Sequence, residues 1–124
     1  HWWLFTNIDP SDIGDNCSEL FIYYSDNPIN DSWISHKLNP VLVDSNIARN
    51  GGILYDNNNI LRIGQKQGFD KYGLGYSVNK IITLNPYEYK EEKIYEFESD
   101  SKSRKQGPHH LHSNAKITVF DFYK

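Results

Sequence analysis

Two short segments set fixed charge and amide groups beside glycine: Ala48-Arg49-Asn50-Gly51-Gly52 and Leu61-Arg62-Ile63-Gly64-Gln65, with Lys71-Tyr72-Gly73 soon after. Guanidinium and carboxamide groups are costly to bury without partners, so their position at the ends of strand-like sequence predicts a polar pocket. Both groups match sugar hydroxyls and carboxylates by paired hydrogen bonds. Arg49, Arg62, Gln65 and Tyr72 are therefore candidate ligand-binding residues, and Gly51-Gly52 permits positive φ or close backbone approach next to Arg49. A structural reading stands beside this one, in which Arg62 and Gln65 tie one sheet to the next by bonding loop carbonyls.

Other chemistries find less support. His109, His110 and His112 form a cluster in which strand alternation puts His110 and His112 on one face. No matching cysteines or carboxylates accompany them, so no metal is expected and solvent-facing or hydrogen-bonded histidines are the plainer reading. A glycosidase needs two carboxyl groups about 5–10 Å apart. Glu88, Glu91 and Glu92 read instead as a solvated charged face, and Asp26, Asp44 and Asp56 lie in turns where Asp bonds its own backbone. Cys17 sits in a polar loop with no histidine near it in sequence, and the glycines from Gly64 to Gly75 precede no helix that could hold a phosphate. No catalytic residue is assigned and no cofactor is expected; the negatives favour a binding or structural module over an enzyme.

The elements that must carry these residues are strands. His1 to Thr6 and Glu19 to Ser25 read as an antiparallel pair, the first ended by the turn-forming run from Asn7 to Asp12 and the second by Asp26-Asn27-Pro28. Trp33 to His36 reads as a short edge strand, and an extended run follows Asn39-Pro40 through Val43. Ile53-Leu54-Tyr55 and Ile60 to Gly64 form the clearest hairpin, around the four polar residues Asp56 to Asn59. Gly75 to Leu84 and Tyr89 to Glu98 are two more strands, the latter with charges on one face and Ile94, Tyr95 and Phe97 on the other. After a charged, small-residue stretch, His109 to His112 and Ala115 to Tyr123 read as a last hairpin, with Ile117, Val119, Phe120 and Phe122 available for burial. About nine short strands at this spacing predict an all-β sandwich, barrel or propeller. Trp2, Trp3 and Trp33 could stack on sugar rings, though aromatic residues in short strands usually serve the core.

Composition sets the outer bounds. A chain of 124 residues with 38% hydrophobic and 15% aromatic content suits one domain, read as a single unit over residues 1–124. Its net charge of −3 comes from interspersed charges without a basic stripe, which disfavours nucleic acid as a partner. Cys17 is the single cysteine, so no internal disulfide exists. No apolar run approaches the roughly 20 residues of a membrane span, and no secretory leader pattern opens the chain, so membrane insertion is not expected and a cytoplasmic setting is favoured. The opening His1-Trp2-Trp3-Leu4-Phe5 looks like the interior of a longer polypeptide.

Taken in order, W-W-L-F, L-F-I-Y-Y-S with D-N-P after it, W-x-x-H-K-L-N-P-V, A-R-N-G-G, L-R-I-G-Q, K-Y-G, Y-x-E and H-H-L-H span nearly the whole chain. This series resembles the β-propeller domain of the glucosamine inositolphosphorylceramide transferase N-terminal type. The resemblance implies a five-bladed propeller, related to glycoside hydrolases of the arabinanase and fructosidase type, with antiparallel blades around a central polar pocket. The present strands would be its last two to three blades. In the hydrolase relatives the earlier blades carry the catalytic base and a second carboxylate, so catalysis by this chain alone is not expected. A histidine near the axis of those relatives helps hold a central ion, and the resemblance puts His110 there. The implied role is recognition of a carbohydrate or glycoconjugate within a larger glycan-processing protein. Alternatives are a hydrolase-like or glycosyltransferase-linked domain supplying part of an active site, and a scaffold. Unpaired blade faces and sheet edges would favour self-association or contact with the missing blades.

Overall fold

The computed structural model describes residues 1–68, 73–98, 107, 110–114 and 116–121. These form strands and no helix: β1 (Trp2–Thr6), β2 (Glu19–Ser25), β3 (Ile34–Ser35), β4 (Leu42–Val43), β5 (Arg49–Asp56), β6 (Asn59–Lys66), β7 (Gly75–Asn85), β8 (Glu88–Glu98), β9 (Leu111–Ser113) and β10 (Thr118–Phe120). All pairings are antiparallel. Among the described residues, no helix is long and apolar enough to cross a membrane.

The first sheet is built on β2. One edge of β2 pairs with β1 from Trp2↔Ser25 to Thr6↔Phe21, the hairpin expected from sequence. The other edge is shared by β3, opposite Tyr23 and Tyr24, and β4, opposite Glu19 and Leu20. Between them the edge at Ile22 has no strand, and the Asn39 carboxamide fills the gap. Its Oδ1 accepts from the Ile22 amide at 2.8 Å and its Nδ2 donates to the Ile22 carbonyl at 2.7 Å, as a neighbouring peptide would. Ile22 is fully buried, so these bonds satisfy groups that water could not reach.

The second sheet is a four-stranded meander in the order β5-β6-β7-β8. Its first hairpin closes more tightly than expected: Asp56 pairs with Asn59, leaving Asn57-Asn58 as a two-residue turn with Asn57 at φ 53°. Asn tolerates this left-handed conformation, which matches the turn to the twist of the strands. A register shift between Asn50 and Gly52 leaves Gly51 as the extra residue of a bulge, and another sets Ile94 aside where Val78 pairs with Tyr95 and Asn79 with Lys93. Ile94 and Tyr95, read from sequence as sharing a face with Phe97, are each 54% exposed, and the bulge takes Ile94 out of the alternation.

Strand alternation gives the meander two distinct faces. One carries Arg62, Gly64, Ser77, Asn79, Tyr89 and Glu91 and lies against the first sheet and the segment that follows β4: the Phe5 and Tyr89 rings meet at 6.0 Å, and Arg62 bonds Ile47. Farther along the same seam His36, only 2% exposed, bonds the Asn85 carbonyl at 2.8 Å. The other face carries Arg49, Ile63, Gln65, Tyr76, Val78 and Phe97, and β9 crosses it above β5. The most deeply buried apolar residues are Leu20 and Ile22 on β2, Ala48 just before β5, and Ile63 on the outer face of the meander.

The last hairpin forms as expected, with Val119 opposite His112. Its apolar side chains do not find cover: Ile117, Val119 and Phe120 are at least half exposed among the described residues, and Phe122 lies outside them. The tryptophans also depart from a core role, because Trp2 and Trp33 are exposed while Trp3 is half-buried beside Tyr24. Trp2 and Trp3 sit on β1, an edge of the first sheet, and Trp33 just precedes the two-residue β3.

Candidate functional site

Arg62 and Gln65 are three residues apart on an unbroken strand, so the sheet sends them to opposite faces. Arg62 is fully buried between the two sheets. Its Nε donates to Glu91 Oε2 at 2.7 Å, and its Nη2 donates both to Glu91 Oε1 at 2.6 Å and to the Ile47 carbonyl at 2.8 Å. Tyr89 donates its hydroxyl to Glu91 Oε2. Glu91 is therefore no part of a solvated face: its side chain is 5% exposed and forms a two-pronged ion pair across the meander. Burial works against the Arg62 charge, but hydrogen bonding and charge from Glu91 outweigh it and hold the guanidinium pKa above its usual value. Arg62 thus joins β6 to β8 and the meander to the segment that follows β4.

Burial first, and the Glu91 charge second, push the Tyr89 phenol far above its ordinary range. The folded state then holds that proton more tightly than the unfolded chain does. Its contribution to stability is complete below the ordinary phenol pKa of about 10 and is lost as pH climbs beyond it, by up to about 1.4 kcal/mol per pH unit. Urea unfolding followed from about pH 9 to 11.5 should show a steeper alkaline loss for the wild type than for Tyr89→Phe. Equal slopes would mean that the phenol titrates in solvent. Tyr76, whose phenol is also raised, by burial and then by Tyr95, is present in both proteins and cancels.

The opposite face gathers other residues singled out from sequence. Arg49 and Gln65 are direct partners across β5 and β6. His110 lies over the next pair along: a Cβ on Gly52, itself at φ 134°, would stand 3.2 Å from the His110 ring and 2.5 Å from the Leu111 carbonyl oxygen. Arg49, Gln65 and His110 therefore occupy neighbouring positions on one face, and Arg62 does not join them. Tyr72 and His109 lie outside the described residues. The His110 and His112 rings are 6.4 Å apart and nearly parallel, on one side of their strand as alternation requires. Among the described residues no group of three or more His, Cys, Asp or Glu is placed to hold a metal ion.

The end of the molecule where β5 begins and β6 finishes is rich in buried polar atoms. Asn7 organises it by donating to the Glu19 and Ala48 carbonyls at 2.6 and 3.0 Å and accepting from the Asn50 amide at 2.8 Å. Arg49 Nη1 donates to Cys17 Sγ at 2.9 Å. Five buried side-chain atoms have no hydrogen-bond partner among the described residues: the amide nitrogens of Gln65 and Gln67, Nη1 of Arg62, and the oxygens Glu19 Oε2 and Asn50 Oδ1. Gln65 is 2% exposed, so its unengaged nitrogen is expensive unless something meets it. Asn50 pairs with Gly64 and so lies on the seam face, which leaves the Gln65 amide as the unengaged donor beside Arg49, a group that suits a hydroxyl oxygen. Glu19, Asn50 and Gln67 were not singled out from sequence. Gln67 could have been, since it repeats Gln65 at strand spacing; Glu19 joins only through the pairing of separate segments.

A polar recess of about 390 Å³ lies on the Arg62 side between the segment 42–47 and β6–β8. Within it Glu96 accepts from Lys93 at 2.7 Å and from Lys66 at 3.2 Å, and these lysines hold its carboxylate below the usual range.

These features define an all-β protein of two four-stranded antiparallel sheets and a two-stranded one, with a buried ion pair inside the meander. Residues 1–119 match the family described as glucosamine inositolphosphorylceramide transferase 1, N-terminal, and the chain belongs to that family. It is 37% identical over 93 residues to glucosamine inositolphosphorylceramide transferase 1 of Oryza sativa subsp. japonica, a match covering 73% of this chain and 12% of the rice protein. No solved structure matches the chain.

Proposed function

We propose that this chain is a carbohydrate- or glycoconjugate-recognising part of a larger glycan-processing protein, binding sugar hydroxyls through the face that carries Arg49, Gln65 and His110. The amide nitrogen of Gln65 carries this reading: it is a buried donor without a hydrogen-bond partner among the described residues, on the same face as Arg49 and His110, where a ligand oxygen would meet it. Membership of a family named for a glycosyltransferase supports the setting.

The architecture that fits best is the last two to three blades of a five-bladed propeller within one unit, residues 1–124. The meander β5–β8 has the strand order of a blade, its ion-paired face meets the preceding sheet, and β9–β10 lies on the side where another blade would follow. Blades elsewhere in the full protein, or a second copy of the chain, would cover Ile117, Val119 and Phe120.

A glycan array probed with the 124-residue chain tests the reading. Retention of a subset of glycans by the wild type, and its loss in Gln65→Ala with an unchanged circular dichroism spectrum, is the expected result. A blank array, or equal retention by Gln65→Ala, would leave this face as scaffold.

A further inference from the structure

The row of side chains that begins with Arg49 and Gln65 continues across the sheet. Gln65 is the direct partner of Tyr76, and Tyr76 of Phe97, so polar groups and aromatic rings share one face in register. Tyr76 and Phe97 stack at 5.4 Å with their planes 28° apart, and Tyr95 stands 6.4 Å from Tyr76 on the same face. Tyr76 and Phe97 are half-buried and Tyr95 is 54% exposed, so the cluster is open to solvent on a sheet whose opposite face is closed by the first sheet. A pyranose is amphipathic: hydroxyls ring its edge while one or both faces present C–H groups. Such a ring needs hydrogen-bonding groups beside an aromatic surface, and neither alone distinguishes it from water or from a hydrocarbon.

We propose that Tyr76, held by Phe97, is the stacking subsite of this face, and that its ligand is a pyranose whose C–H face lies on the Tyr76 ring while its hydroxyls meet Gln65. This assignment rests on the recognition reading above and adds to it the ligand class and a specificity residue. Tyr76 acts through its ring, with its hydroxyl contributing little. Phe97 acts indirectly, by fixing the orientation of that ring.

Saturation-transfer NMR with the methyl pyranosides of glucose, galactose and mannose, and with N-acetylglucosamine, tests it on the 124-residue chain. In the wild type, saturating the aromatic protons should pass most strongly to the C–H protons of one face of the bound sugar. Titrations should find Tyr76→Phe within about twofold of wild type, and Tyr76→Leu, which keeps apolar bulk but no ring, about tenfold weaker. Unchanged affinity in Tyr76→Leu, with binding lost in Gln65→Ala, would overturn the stacking subsite and leave the recognition reading standing. Evenly spread saturation over all sugar protons in the wild type would overturn the subsite without any variant. Absence of binding by the wild type to every pyranoside overturns both.

Discussion

Arg62→Ala is expected to lower the unfolding free energy by about 3–5 kcal/mol, a large part of what a domain of this size possesses. The guanidinium is wholly buried and its partner Glu91 nearly so, which removes the solvent screening that makes surface pairs weak. Truncating Arg62 leaves a carboxylate in the seam with only the Tyr89 hydroxyl facing it, and it also leaves the Ile47 carbonyl short of a donor. The loss therefore comes chiefly from what remains behind. Arg62→Met combined with Glu91→Leu, which removes both charges and restores apolar volume, should recover most of the deficit, to within about 2 kcal/mol of wild type. Urea unfolding of the three proteins at neutral pH measures this directly. An Arg62→Ala cost below about 1 kcal/mol would mean that water reaches the pair and that it does not lock the sheets.

Much of the strand order was legible because it is local. The β1–β2 and β5–β6 hairpins follow from apolar alternation interrupted by Asp, Asn and Pro, and each pairs close to the expected limits. The placement of polar side chains was only half legible. Lys90-Glu91-Glu92-Lys93 resembles a solvated charge run, yet alternation must send Glu91 and Glu92 to opposite faces, and which face is buried depends on the first sheet. The same alternation separates Arg62 from Gln65, so a shared pocket for both could have been rejected on spacing alone. Arg49 and Gln65 meet because a bulge absorbs Gly51; the turn read from sequence has the same centre as the one observed, with Tyr55 opposite Ile60, so only the bulge shifts the register. Asn39 completing the edge of β2 had no local signal, because its partner Ile22 lies 17 residues away.

The two faces of β6 differ in what they meet. Odd positions look toward β9 and include Gln65 with its unengaged amide nitrogen, while even positions look into the seam, where Arg62 bonds Glu91 and Ile47. Arginine and glutamine in one pentapeptide therefore lie in different surroundings.

Gly64 lies on the seam side of that strand, and Gly64→Ala is expected to cost about 3 kcal/mol, the upper part of the range for overpacking. A Cβ there would stand 2.6 Å from the Ile47 carbonyl oxygen and 2.8 Å from Ser77 Oγ. A hydroxyl can rotate away, but the carbonyl belongs to backbone that also accepts from Arg62 Nη2, so displacing it breaks that bond as well. The two effects are then coupled. Introduced into Arg62→Ala, where the bond is already gone, Gly64→Ala should cost less than in the wild type by roughly 1 kcal/mol. Gly14→Ala provides the contrast, since Gly14 has open space around its Cβ and a φ of 90°, so only backbone strain opposes it. A neutral Gly64→Ala would mean that the segment after β4 does not press on the meander, and a blade-on-blade packing of the two sheets would fall with it.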